Sequence, residues 1–103
     1  MGKSQHYKGI QESYPELMEA FEALGSEAKQ AGPLGSKEAH LIQLAAAVTI
    51  RSEGATHSHT RRALEAGASP DEIRHAVLLL VSTIGFPTAV AGLSWVADIL
   101  DAN

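Results

Sequence analysis

A chain of 103 residues with 45% hydrophobic content has the size and composition of one globular domain, which weighs against a disordered segment. Its net charge of −4 gives no basic footprint for nucleic acid, and the pair Arg61-Arg62 is too short to make one. There is no cysteine, which removes disulfides, thiolate metal sites and thiol redox chemistry; the start lacks the apolar run of a secretory signal, so a cytoplasmic protein without membrane partner is expected.

Residues 1 to 12 are polar and without hydrophobic period, and read as a loosely held arm ahead of a single domain from 13 to 103. Ser13-Tyr14-Pro15-Glu16 reads as a helix start, with Ser13 as cap, Pro15 in the first turn and Glu16 closing a capping box. Leu17, Met18, Phe21, Leu24 and Ala28 then follow at helical spacing, opposite Glu16, Glu19, Glu22 and Lys29. This predicts an outer helix with one buried side.

The turn cluster Ala31-Gly32-Pro33-Leu34-Gly35 precedes a second helix capped by Ser36 and running over residues 37 to 51. Leu41, Ile42, Leu44, Ala45, Ala46, Ala47, Val48 and Ile50 leave it almost no polar face, as expected of a helix covered on nearly all sides. A domain this small can hardly supply that cover, so self-association is expected. His40 lies in its first turn, where the positive end of the helix dipole favours a neutral imidazole.

Residues 51 to 67 hold most of the candidate chemistry: Arg51, Ser52, Glu53, His57, His59 and the basic pair. As a helix, this stretch places Ser52, Ala55, His59, Ala63 and Ala66 on one side. His59 is then the one large residue on a stripe of small ones, set in a shielded crevice. His57 points away, roughly 200° around the helix, with Glu53 one turn before it. Glu53 and His57 at this spacing suit a surface pair, and they could also chelate a metal, whereas His57 and His59 on one helix could not. With only two convergent ligands in sight, no metal is expected.

Ser69-Pro70-Asp71-Glu72 is a second strong helix start, leading to Ile73, Ala76, Val77, Leu80 and Ile84 on one face before Gly85 ends the helix. Pro87 opens the last helix, to about residue 100, with Phe86, Ala89, Val90, Leu93, Val96 and Leu100 as core stripe. Ala91, Gly92, Trp95 and Ile99 form a second apolar stripe without partner, a candidate subunit contact. About five helices and no strand signal give an all-α bundle.

The order of these features resembles the carboxymuconolactone decarboxylase and alkylhydroperoxidase D-like family. It rests on Gly32-Pro33-Leu34 before the Ala-rich helix, the segment from Glu53 to His59, Ala63-Leu64-Glu65-Ala66-Gly67-Ala68, Pro70-Asp71-Glu72-Ile73 and Gly85-Phe86-Pro87-Thr88-Ala89. The resemblance implies an all-helical protomer that forms a ring-shaped homo-oligomer, commonly a trimer or hexamer. In the peroxidase branch the central motif is Cys-x-x-Cys-x-x-x-His; here Ser52 and Ala55 stand at the two cysteine positions and His59 alone is retained. His40 stands, by spacing, where that branch has a proton-relaying glutamate. Without a thiolate to attack and a thiol to resolve, thiol peroxidase activity is not expected.

The decarboxylase branch does not depend on the cysteine pair. The resemblance therefore implies a lyase acting on a small carboxylate or lactone acid, with His59 as acid or base, His40 as second catalytic residue, and Arg51, Ser52 and Glu53 as substrate-binding candidates. No cofactor is implied. The alternative is a non-catalytic binding or structural homo-oligomer that has lost the redox cysteines.

Overall fold

The computed structural model describes residues 5 to 102, which are helical throughout apart from the connections. They divide between Gly35 and Ser36 into two compact units. Among the described residues no helix is long and apolar enough to cross a membrane.

In the first unit, α1 (Gln5–Ser13) packs on α2 (Pro15–Gln30). The arm read from the sequence is thus helical over residues 5 to 13, while residues 1 to 4 lie outside the described part. Tyr7, Ile10 and Gln11, at i, i+3 and i+4, are its half-buried positions. That stripe is too short to register as a period, and a nine-residue helix depends on such packing for its stability.

Ser13 does not cap α2. It closes α1, whose hydrogen-bond ladder continues through the Tyr14 amide to the Ile10 carbonyl at 2.8 Å, so its backbone is helical where a cap must be extended. Tyr14 takes the cap position without a side-chain bond, and Pro15 occupies the first turn as expected. The face carrying Leu17, Phe21 and Leu24 is more than half exposed, against the expected buried side, and Met18 is the helix's buried residue. α1 is too short to cover that face.

The second unit is a helical hairpin, α3 (Ser36–Thr49) and α4 (Glu53–Glu65), joined to α5 (Pro70–Leu78), α6 (Val81–Ile84) and α7 (Phe86–Leu100). Each hairpin helix ends in a Schellman closure. After α3, the Arg51 and Ser52 amides bond to the Val48 and Ala47 carbonyls; after α4, those of Gly67 and Ala68 bond to Leu64 and Ala63. The residue at the turn must be left-handed. Gly67 meets that at φ 99°, and Arg51 meets it at φ 58°, the one non-glycine residue with positive φ among those described.

His40, Leu44, Ala47 and Val48 line the buried face of α3 and Ile73 and Val77 that of α5, while Ala89, Gly92 and Val96 line that of α7. Leu44, Val48, Ala63, Ala68, Ile73, Val77 and Val96 form one core cluster. α4 adds two buried threonines to Ala63. Thr56 and Thr60 can be buried because each hydroxyl donates to the carbonyl four residues back, at 2.7 Å, so neither enters the interior unsatisfied.

Three sequence expectations change here. The helix expected over residues 70 to 84 breaks at Leu79 and Leu80, where the Leu80 amide bonds to the Val77 carbonyl in a tight i to i−3 turn. The offset lets Leu80 and Ile84 pack on the core while Leu78 and Leu79 stay exposed. Phe86 and Val90, expected in the core stripe of α7, are exposed. Gly92, expected on a subunit contact, is instead where α7 comes closest to the core. A Cβ there would lie 2.6 Å from Val48 Cγ1 and 3.2 Å from Val77 Cγ1. Ile42 on the far side of α3 and Ile50 just beyond its end are exposed.

Candidate functional site

The hairpin closes on a pair of histidines. His40, one turn into α3, is buried at 5% exposure rather than partly solvated, and its Nδ1 lies 3.3 Å from Nδ1 of His59 on α4. The ring centroids are 5.5 Å apart and the planes tilt by 36°. Two facing Nδ1 atoms can bond only if one carries the proton and the other does not. In a neutral pair this forces opposite tautomers, and the two Nε2 atoms then differ as well: one is N–H and the other bare. The pair therefore offers an acid and a base at its outer ends. His59 is half-buried, at the border of the face formed by Thr56, Thr60 and Ala63.

An open cleft of about 200 Å³ reaches the His40 member of this pair, lined by Ser36, His40, Arg62, Glu65 and Ala66, while His59 stands behind His40 and does not line it. Arg62 supplies a cation that sequence reasoning overlooked, although its position three residues beyond His59 was a usable signal. The Glu65 carboxylate lines the same cleft.

The other candidates go elsewhere. Arg51 turns toward α7, where its guanidinium donates to Thr88 Oγ1 at 2.8 Å. Ser52 is the N-cap of α4, extended at φ −95° and ψ 101°, and its Oγ accepts from the Ala55 amide at 3.2 Å. Glu53, in the first turn of α4, stands near His57 of the same helix. His57 Nε2 pairs with Asp98 Oδ2 on α7 at 2.9 Å, and ligand atoms of Glu53, His57 and Asp98 lie within 4.8 Å of one another. The expected Glu53–His57 ion pair is not made: His57 pairs with Asp98 from α7 instead, and Glu53 stands near both. None of Arg51, Ser52 and Glu53 lines the cleft at His40.

One more ion pair fixes the frame. Lys37 Nζ lies 3.0 Å from Glu72 Oε2, tying the first turn of α3 to α5. The Glu72 carboxyl is held below its ordinary range, first by the hydrogen bond from the Ser69 amide and then by Lys37. Lys37 is raised by the same carboxylate. The capping box expected at Ser69 and Glu72 is present in both directions.

Fold and site together define a class: a small all-helical domain whose polar centre lies inside a helical hairpin, with no thiol in it. The sequence model of the carboxymuconolactone decarboxylase family matches residues 15–98, and the chain belongs to that family. An uncharacterized protein from Haemophilus influenzae is 40% identical over 50 residues, which are 48% of this chain and 44% of that protein. The chain thus matches less than half of that relative's length. Among solved structures, the apo form of lpg0406, a carboxymuconolactone decarboxylase family protein from Legionella pneumophila, superposes with a TM-score of 0.76. That superposition covers 90% of this chain and 86% of the other at 25% identity.

Proposed function

We propose that the chain is a decarboxylase-like lyase for a small carboxylate or lactone acid, with the His40–His59 pair as its acid–base centre. The observation that carries this reading is the Nδ1 to Nδ1 contact beside a cleft that also holds a guanidinium. Decarboxylation breaks one carbon–carbon bond, releases carbon dioxide and leaves the electron pair on carbon, where a proton must be delivered. The ring carrying N–H at Nε2 delivers it; the Nδ1 proton of the other ring crosses the contact to the spent one, and that other ring takes up a proton from water at its own Nε2, so the pair stays neutral with its tautomers exchanged. Arg62 draws the anion to the cleft mouth, and Glu65 beside it opposes a second negative charge, which favours a monoanion.

The chain holds no group for the thiol chemistry of the peroxidase branch. A screen of unsaturated lactone acids and other small carboxylates tests the proposal by thermal shift and carbon dioxide release. At least one should stabilise the wild type and be decarboxylated, and His59→Gln should lose turnover. If no compound binds, the alternative of a non-catalytic binding or structural oligomer is the better reading, and turnover that persists in His59→Gln removes the histidine pair from the reaction.

We infer as well that the chain assembles with copies of itself, as a trimer or hexamer. Exposed Ile42 on α3 and Ile50 just after it, Leu78 and Leu79 at the end of α5, and Phe86 on α7 support this, since large apolar side chains in such number favour burial between subunits. Sedimentation should give three or six times the 10.9 kDa chain, and a stable monomer at micromolar concentration would contradict it.

A further inference from the structure

On the side of α4 that the acid–base pair does not use, we propose a binding site for one divalent first-row transition-metal ion, held by Glu53, His57 and Asp98. The inference is independent of the lyase reading. Glu53 and His57 stand one turn apart on the same helix, the spacing at which two side chains can take hold of one ion. Asp98 closes the set from α7. The 2.9 Å between His57 Nε2 and Asp98 Oδ2 is close to the separation of about 3.0 Å between neighbouring ligands of an octahedral ion with bonds of about 2.1 Å. Glu53 brings a carboxylate oxygen within 4.8 Å of a ligand atom of each of the other two.

Charge and donor type agree with this. Two carboxylates and a neutral imidazole carry two negative charges, and among the described residues no lysine or arginine is ion-paired with Glu53 or Asp98. One imidazole with two carboxylates suits zinc, cobalt, manganese or iron in the divalent state; it is too rich in nitrogen for calcium or magnesium and lacks the sulfur that copper(I) prefers. The imidazole side chain is 21% exposed, so it is held in place, while Asp98 at 56% leaves the outer side open to further ligands. Three protein ligands grouped on one side, with the remaining positions open to water, describe a site that can exchange its outer ligands. Bound metal would also bridge the start of α4 to α7, and so stabilise the fold.

The test uses the full chain, freed of any affinity tag and treated with chelator, titrated with cobalt(II) and followed by visible absorption and calorimetry. One ion per chain is expected, with a rise in the thermal midpoint. Glu53→Gln, His57→Ala and Asp98→Asn should each weaken binding by about tenfold or more, whereas His59→Gln should bind as the wild type does. Circular dichroism of each variant checks that the exposed substitutions leave the fold intact. The proposal is overturned if the wild type takes up no stoichiometric cobalt(II), if His57→Ala binds equally well, or if binding is lost in His59→Gln instead.

Discussion

His57 and His59 stand two residues apart on one helix and meet opposite surroundings. His59 turns into the hairpin and finds another imidazole, that of the buried His40; His57 turns to the passing α7 and finds carboxylates at the surface. A separation of roughly 200° around the helix axis is enough to change the partner and the chemistry. The first pair can move a proton because its two members are alike and must adopt opposite tautomers. The second group can hold a cation because its members differ and are jointly negative. The residue type alone assigns neither role.

The contrast depends on α7 lying close to α3 and α4, and Gly92→Ala attacks that. Its new Cβ would meet both methyls of Val48 inside 3.0 Å, on a buried β-branched side chain with little room to yield. The expected cost is about 2–3 kcal/mol in chemical denaturation. Val48→Ala in the same chain should cost less than the sum of the two single changes. The His57–Asp98 contact should loosen, while the His40–His59 contact, made by α3 and α4 alone, should persist.

Next in size is the buried pair itself. His59→Leu or His40→Leu strips the remaining imidazole of its facing nitrogen and should cost about 1–2 kcal/mol. The double replacement should cost clearly less than the sum, because it removes both polar groups together. Additive costs in this cycle would mean that the rings do not interact. At the surface, by contrast, His57→Ala without metal should change stability by only about 0.5 kcal/mol, and less in high salt.

The smallest effect concerns the Lys37–Glu72 brace, which touches neither histidine group. Glu72 has a lowered pKa in the folded chain, so its contribution is present above the ordinary glutamate range and is lost as pH falls through the lower, folded value. Lys37 is raised, so its share persists to alkaline pH and is lost only above the ordinary lysine range. Melting curves of wild type and Glu72→Gln should therefore differ at pH 7 and converge in acid. Divergence in acid would reverse the sign and reject this account.

Local signals were legible in the sequence wherever neighbours in the chain decide the outcome. Ser69 and Glu72 form their capping box, Gly85 and Pro87 mark the start of the last helix, and His59 turns into the hairpin. The sequence was silent where residues distant in the chain decide. Asp98 meets His57 across 41 positions, and nothing near either one announces the other. Gly92 looked like one small residue in an apolar stripe, and only the approach of α3 gives it a purpose. Thr56 and Thr60 carried no signal of burial in the sequence, and their bonds to the preceding turn make them fit for the interior. Ser13 failed as a cap because a helix that no period announced already contained it.

The account stands most directly on the shared proton of His40 and His59. Nitrogen-15 spectra of the histidine-labelled protein at neutral pH read the tautomer of each ring through its two- and three-bond couplings. The prediction is one ring protonated at Nδ1 and the other at Nε2, with the assignment lost in His59→Gln. Both rings protonated only at Nε2, leaving two bare nitrogens facing each other, would contradict the pair and the acid–base function built on it.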